Sequence, residues 1–181
     1  MAVMIDLETI DSDPDTSVIL TIGMVRFDQK AYSDNKPIYD DSILIKLDVE
    51  EQIEMGRTIS DSTIEWWSRQ PEESKNEAFG DEGRVTVTEA LSQITKFCWN
   101  QKAIWSNGIN FDISNVNHLF KAKKMRAPWE FYHINDARTL YNNVGQHMNP
   151  PMTPRNNNHS AVDDCLEQIR CLQAIFERLR A

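Results

Sequence analysis

Three apolar stretches rich in β-branched residues open the chain, at residues 2–9, 18–27 and 42–47. Each has the length of one strand, and polar segments separate them. Consecutive strands joined by polar connections usually pair with their neighbours. The pattern therefore predicts an antiparallel meander at the start of the fold.

Apolar residues at helical spacing dominate the rest of the chain. Five helices are predicted, which begin near residues 62, 86, 112, 137 and 159. Two short strands, at 103–105 and 131–134, lie among them. Three polar or proline-rich segments are predicted as loops, at 48–61, 71–85 and 146–158. The order of elements predicts an α/β fold with a mixed five-stranded sheet flanked by helices.

Acidic side chains fall where several of these elements begin or end. Asp6 and Glu8 close the first strand, and their i, i+2 spacing puts both on one face of it. Asp112 begins the helix after the fourth strand, and Asp164 follows His159 by five residues on the last helix. Buried carboxylates need a cationic partner, and Mg²⁺ or Mn²⁺ prefers hard oxygen ligands. An isolated Asp-x-Glu is more often a solvated strand end, so the metal interpretation depends on the downstream acids.

Composition limits the classes of protein that fit. The 181 residues suit one domain over 1–181, and their net charge of −9 argues against broad capture of duplex nucleic acid. No stretch has the length and apolarity of a membrane span, and the N-terminus does not resemble a signal peptide. Three cysteines without a C-x-x-C pair indicate thiols in a reducing cytoplasm. The basic segment 121–126 is either a phosphate track or the solvated face of a helix.

Three short motifs give this layout a chemical interpretation. Residues 6–9 read D-L-E-T, residues 107–112 read N-G-I-N-F-D and residues 159–164 read H-S-A-V-D-D. In this order they resemble the exonuclease motifs of the DnaQ-like superfamily, in its histidine-type (DEDDh) branch. The resemblance implies an RNase H-like fold, two bound Mg²⁺ or Mn²⁺ ions and release of nucleoside 5′-monophosphates from 3′ ends. The short loop before His159 and the Trp66-Trp67 pair are more similar to stand-alone, phage- or prophage-type exonucleases than to proofreading subunits.

Each motif residue has an expected role in that chemistry. Four carboxylates are expected to hold the two ions: Asp6, Glu8, Asp112 and Asp164. His159 is expected to be the general base for the attacking water, because imidazole titrates near neutral pH. Asp163 is an alternative ligand to Asp164, but neighbours on a helix point about 100° apart, so only one of them can face the ions.

Four further residues are candidates for contact with the substrate: Thr9, Asn107, Phe111 and Trp66. Asn107 either orients its turn or contacts a nucleotide, and Phe111 is expected to lie partly in the core. Trp66 and Trp67 cannot both be buried on a short helix, so one is predicted to offer a surface for base stacking. Asp136 is predicted to cap a helix rather than to be a fifth ligand.

The expected function is a two-metal-ion 3′–5′ exonuclease of single-stranded nucleic acid, with DNA favoured over RNA. The alternatives are an exoribonuclease, a catalytically idle binding relative of the same fold, and a metal-dependent phosphatase. Intact acids and His159 argue against the idle relative, and a phosphatase would not explain the N-x-x-F-D turn. Single-stranded 3′ ends are the expected partners, no membrane is expected, and a homodimer is implied because several stand-alone relatives pair.

Overall fold

A computed structural model describes residues 1–34, 36–154 and 159–181. Its first three strands form the predicted antiparallel meander: β1 (Ala2–Thr9), β2 (Ile19–Phe27) and β3 (Tyr39–Leu47). β1 and β2 are buried along almost their whole length, because both lie inside the sheet. Burial on both faces explains why their sequences are nearly continuous apolar runs.

Three shorter strands complete a six-stranded sheet: β4 (Arg84–Val85), β5 (Ile104–Ser106) and β6 (Ile134–Asp136). The strand order is β4-β3-β2-β1-β5-β6. β5 is parallel to β1, β6 is parallel to β5, and β4 is parallel to β3. The carboxyl ends of β1, β5 and β6 therefore meet at one edge of the sheet, where α/β proteins commonly bind ligands.

Helices cover both faces of the sheet. In the part of the chain that the structure describes they are α1 (Val49–Glu54), α2 (Asp61–Ser68), α3 (Glu72–Phe79), α4 (Val87–Phe97), α5 (Asp112–Ala122), α6 (Ala137–Asn143) and α7 (Ala161–Arg180). α4 and α5 pack on one face and α6 and α7 on the other, each pair with its own apolar cluster.

Successive side chains of β1 point to opposite faces of the sheet. The odd-numbered apolar residues pack against α4 and α5, whereas Ala2 and Met4 pack against α6 and α7. Asp6 and Glu8 continue the second row, because side chains two residues apart on a strand share a face. The two acids of the first motif therefore lie on the side of the sheet that α7 covers.

α7 approaches the sheet at Gly23, which pairs with Asp6 across β2 and β1. A Cβ atom at position 23 would lie 2.3 Å from the carbonyl carbon of Ala161 and 2.6 Å from the backbone nitrogen of Val162. Because no side chain fits there, glycine lets the first turn of α7 rest directly on β2. This contact brings Asp164 to the row of acids on β1.

The sheet has six strands rather than the five predicted, and two helices lie in segments predicted as loops. β4 has only two residues, too few to show alternation. α1 and α3 are short and carry several charged residues, so neither has a long apolar stripe. α1 begins instead at a cap, where Asp48 Oδ1 accepts a hydrogen bond from Glu51 N at 2.9 Å.

Several element boundaries also differ from the prediction, and β3 begins at Tyr39 rather than Ser42. α7 begins at Ala161 rather than His159, and β6 begins at Ile134 after a 3₁₀ turn over Phe131–His133. The predicted loop after α6 contains a second 3₁₀ turn, Gly145–His147. The end of that predicted loop, residues 155–158, lies outside the described residues.

Two local predictions are confirmed, one for the cysteines and one for Asp136. Cys98, Cys165 and Cys171 are buried and form no disulfide. Asp136 caps α6, since its Oδ2 accepts a hydrogen bond from Thr139 N at 2.9 Å. None of the described helices is both long and apolar enough to cross a membrane.

Candidate active site

A cleft opens at the carboxyl end of β1, beside the turn after β5 and the start of α7. It has a volume of 210 Å³ and is lined by Asp6, Leu7, Glu8, Asn107, Pro154, His159, Asp164 and Gln168. All three sequence motifs contribute to this lining. The fold therefore brings together segments that lie as far apart in the chain as residues 6 and 164.

α7 contributes two polar side chains one helical turn apart, Asp164 and Gln168. Gln168 Nε2 donates a hydrogen bond to Asp6 Oδ1 at 2.8 Å. The other polar atom of this side chain, Oε1, is buried and accepts no hydrogen bond from the described residues. Sequence analysis missed Gln168, although its i, i+4 spacing from Asp164 places both on one helix face and would have identified it.

One side of the cleft groups Glu8, His159 and Asp164, whose potential ligand atoms all lie within 4.8 Å of one another. Burial is the main cause that raises the pKa of Glu8 from 4.5 to about 8, and the charge of Asp164 adds to it. Burial and then neighbouring carboxylates likewise raise the pKa of Asp6 well above its usual range. Acids that repel one another in this way form a site for a cation, and their oxygen atoms suit a hard divalent ion.

Asp112 reaches this group from the first residue of α5 and is 7% exposed. Burial raises its pKa to about 7, while a hydrogen bond with Ser106 and the charge of Arg138 act in the opposite direction. Its own charge contributes to the raised pKa of Asp6. Ser106 and Arg138 were missed because neither belongs to a motif, and only the fold places them beside Asp112.

His159 lies at the rim of the cleft, just before α7. Its φ of +52° is in the left-handed region, which is uncommon for a residue other than glycine. The imidazole packs edge-on against the indole of Trp66, with ring centroids 4.6 Å apart. Partial burial lowers the pKa of His159 below 6.5, so the ring is mainly neutral near pH 7 and can accept a proton.

The two tryptophans of α2 divide between core and surface, as predicted. Trp67 is 2% exposed, and its Nε1 donates a hydrogen bond to the carbonyl oxygen of Thr9 at 2.8 Å. Trp66 is 36% exposed and contacts both Trp67 and His159. The pair thus links the end of β1 with the histidine of the third motif.

The other candidates for substrate contact also have structural contacts of their own. Thr9 Oγ1 donates a hydrogen bond to Asp11 O at 2.8 Å, inside the turn after β1. Asn107 lines the cleft, and its backbone carbonyl accepts a hydrogen bond from Arg138 Nε at 2.8 Å. Phe111 is half-buried and directly precedes α5. Asn107 and Phe111 therefore flank the turn that leads to Asp112, whereas the Thr9 hydroxyl serves its own turn.

Two sequence alternatives lie away from the cleft. Asp163 is exposed, and its neighbour Asp164 faces the acids, as helix geometry predicts. Within the basic segment 121–126, Lys123 Nζ pairs with Glu51 at 2.6 Å. This segment begins in the last turn of α5, at the opposite end from Asp112. Its position favours the solvated-face interpretation over a phosphate track into the site.

The profile of one protein family, the 3′-5′ exoribonuclease Rv2179c-like domain, matches residues 1–176. The chain belongs to this family. It is therefore a 3′–5′ exonuclease domain, in agreement with the activity that the three motifs imply. No curated protein sequence matches it.

Solved exonucleases share the fold of this exonuclease domain. The nuclease domain of 3′hExo, a DEDDh family member bound to rAMP, is 13% identical with a TM-score of 0.63, over 98% of this chain and 92% of that one. Exonuclease X in complex with 5′ overhanging duplex DNA is 13% identical with a TM-score of 0.61, over 100% and 94%. Exonuclease I is 12% identical with a TM-score of 0.64, over 99% of this chain and 43% of that one. These matches confirm the RNase H-like fold and give no support to a phage- or prophage-type placement.

Proposed function

We propose that the exonuclease uses two divalent ions, Mg²⁺ or Mn²⁺, to hydrolyse the 3′-terminal phosphodiester of single-stranded RNA and to release nucleoside 5′-monophosphates. The observation that carries this proposal is the convergence of acids from β1 and α7 with His159 around one cleft. Asp112 of α5 adds a fourth acid, whose charge helps to raise the pKa of Asp6. The family description names exoribonucleases, so RNA replaces the DNA favoured by the sequence. The net charge of −9 disfavours tight binding of a duplex backbone and supports single strands.

The donor set fits hard divalent cations, because buried oxygen ligands dominate it. Four carboxylates would hold the ions: Asp6, Glu8, Asp112 and Asp164. When bound, the ions supply positive charge at the scissile phosphate and at its leaving oxygen. Gln168 orients the Asp6 carboxylate through its 2.8 Å hydrogen bond, so that this ligand is held in place before the ions bind.

His159 accepts the proton of the attacking water in this proposal. Its lowered pKa leaves the imidazole neutral at working pH, as a general base requires. Trp66 packs against the ring and restricts the directions that it can take. The exposed part of the Trp66 indole, together with Asn107 and Phe111, would contact the terminal nucleotide, with base stacking as the main contribution of the aromatic rings.

The substrate proposal predicts a simple order of rates. Single-stranded RNA should be degraded faster than DNA of the same sequence and faster than a blunt RNA duplex, with mononucleotides as products. The measurement follows 5′-labelled strands on a gel and identifies the released nucleotides by mass. Faster degradation of the DNA strand would show that DNA, as the sequence favoured, is the preferred substrate. Cuts within a circular RNA would contradict an exonuclease, and no release from any strand would favour the catalytically idle relative.

Metal binding is expected to stabilise the protein. With Mn²⁺ at about 100 times its Kd, the melting temperature should exceed that in EDTA by roughly 5–10 °C, because the ion binds only the folded state. The metal-free protein should lose stability between about pH 5 and 8. Folding raises the pKa of Glu8 from 4.5 to about 8, so ionisation of this group in the folded state becomes costly over that range.

The stabilisation by Mn²⁺ should therefore be larger at pH 8 than at pH 6, because fewer protons compete for the carboxylates. Differential scanning fluorimetry at both pH values, with EDTA as reference, measures this. A melting temperature that Mn²⁺ leaves unchanged at either pH would contradict the proposed metal site.

We also propose that residues 1–181 form one domain, because a single sheet connects the meander to the helical part. The homodimer implied by the resemblance stays a prediction. Analytical ultracentrifugation of the purified protein tests it.

A further inference from the structure

A second cavity lies on the other side of the turn that leads to Asp112. It has a volume of 420 Å³, twice that of the cleft around the acids. The turn over residues 108–111 forms one wall, and Asp136, Arg138 and Thr139 at the start of α6 form the other. The carboxyl ends of β5 and β6 thus place an additional open site next to the proposed metal ligands.

Arg138 provides the positive charge of this cavity. Its Nε donates a hydrogen bond to the carbonyl oxygen of Asn107 at 2.8 Å, which anchors the guanidinium on the turn. No carboxylate of the described residues lies within 4.0 Å of its nitrogen atoms, and the side chain is exposed. The nearby Asp136 carboxylate instead accepts hydrogen bonds from Thr139 at the start of α6. The two Nη groups therefore remain available to an anion.

Gly108 separates this guanidinium from the acids. A Cβ atom built on Gly108 would lie 3.5 Å from Arg138 Nη2 and 3.8 Å from Asp112 Oδ2. The Arg138 guanidinium and the Asp112 carboxylate, a proposed metal ligand, thus lie near the same backbone position. A substrate phosphate at the ions would have its neighbouring phosphate within reach of the second cavity.

The direction of the strand follows from the reaction. An enzyme that removes the 3′-terminal nucleotide cuts the last phosphodiester, so every other phosphate of the substrate lies on the 5′ side of the cut. We propose that the second cavity binds the nucleotide on the 5′ side of the scissile bond, and that Arg138 contacts the phosphodiester of that nucleotide. This inference rests on the proposed exonuclease function and adds a binding site to it.

Arginine suits this task better than a general positive charge would. Its planar guanidinium can donate two parallel hydrogen bonds to one phosphate, and contacts with phosphates fix the register of a nucleic-acid strand. A fixed register would place the terminal phosphodiester at the ions in each round of hydrolysis. Arg138 is thus a positioning residue, which acts through the strand and not on the reacting atoms.

The test combines a protein variant with a change in the substrate. Arg138→Gln removes the charge, and a methylphosphonate in the linkage next to the scissile one removes the charge of its partner. Each change alone should lower kcat/KM by about 10- to 100-fold, the usual size for a hydrogen bond between charged groups. Both changes together should cause no greater loss than either one, because they remove the same contact.

Arg178→Gln is the matched control, since Arg178 is exposed near the end of α7 and far from both cavities along that helix. It should leave kcat/KM unchanged and should show the same sensitivity to the methylphosphonate as the wild type. If the loss caused by Arg138→Gln and the loss caused by the methylphosphonate multiply when both changes are present, the proposed contact is overturned. Losses that multiply would instead be expected if Arg138 acted only on the charge of Asp112.

Binding without turnover separates this inference from the proposed function. Fluorescence anisotropy of the same labelled oligomers, with Ca²⁺ in place of Mg²⁺ or Mn²⁺, gives the same comparison for Kd. Suppose that the wild type is inactive, and that Arg138→Gln and the methylphosphonate together weaken Kd no more than either one alone. This outcome would reject the exonuclease proposal and retain the site. If the wild type is active and the two losses in affinity multiply, the site is rejected and the exonuclease proposal is retained.

Discussion

Replacing His159 with alanine is expected to lower turnover by roughly 10²–10⁴-fold, the usual contribution of a general base. The rise in melting temperature caused by Mn²⁺ should stay nearly unchanged, because the histidine is proposed to move a proton and not to hold an ion. Single-turnover hydrolysis of a labelled RNA and scanning fluorimetry measure the two effects on the same preparations. Full activity of the variant between pH 6 and pH 9 would reject this role.

Asp164→Asn and Asp163→Asn form a matched pair for the same measurements. Asp164→Asn should abolish turnover and also weaken the effect of Mn²⁺, since it removes a charged ligand but keeps the shape of the side chain. Asp163→Asn should change neither, because Asp163 is exposed and Asp164 faces the cleft. The ligand assignment would be wrong if Asp163→Asn were the inactive variant.

Gly23→Ala is expected to lower both stability and turnover, although residue 23 does not line the cleft. Its Cβ atom would lie 2.3 Å from the carbonyl carbon and 2.4 Å from the carbonyl oxygen of Ala161, and backbone atoms cannot turn away as a flexible side chain can. Overpacking of this kind costs about 1–3 kcal/mol of the free energy of unfolding. Turnover should also fall by about 100-fold, because α7 must shift and carry Asp164 with it.

Gly56→Ala is the control for that experiment. Gly56 has a φ of +82°, so alanine is strained there, but no atom lies within 4 Å of the added methyl group. Urea unfolding should show a loss of about 1 kcal/mol for this variant, with turnover unchanged. An active and fully stable Gly23→Ala protein would show that α7 does not depend on the close contact with β2.

The parts of the site that could be predicted from the sequence are those in which a local pattern carries the chemistry. The i, i+2 spacing of Asp6 and Glu8 fixes their common face wherever the strand lies in the sheet. The phase of a helix similarly distinguishes Asp164 from Asp163. These arguments need only the geometry of one element, and the structure agrees with both.

Other features depend on contacts between distant segments, and the sequence does not show these. No local pattern marks Gly23, because glycine is required there only by the close approach of α7 to β2. Arg138 lies beside Asp112 because β5 and β6 are adjacent, a pairing that neither sequence segment indicates by itself. α1 and α3 were missed for another reason, since charged helices of six and eight residues lack a long apolar stripe.

The site draws its residues from two kinds of structure. Three of the four acids that surround the proposed ions stand on β1 and α7, which are built into the core, whereas the second cavity is bounded by a turn and by the start of the short helix α6. Substitutions in a turn seldom disturb packing, but substitutions in a central strand usually do. Substitutions at positions 109–111 can therefore change how the 5′ part of the substrate is bound while Asp6, Glu8 and Asp164 stay in place. Because the acids lie on core elements and the second cavity on a turn, nucleases of this fold can share one mechanism and differ in what they degrade.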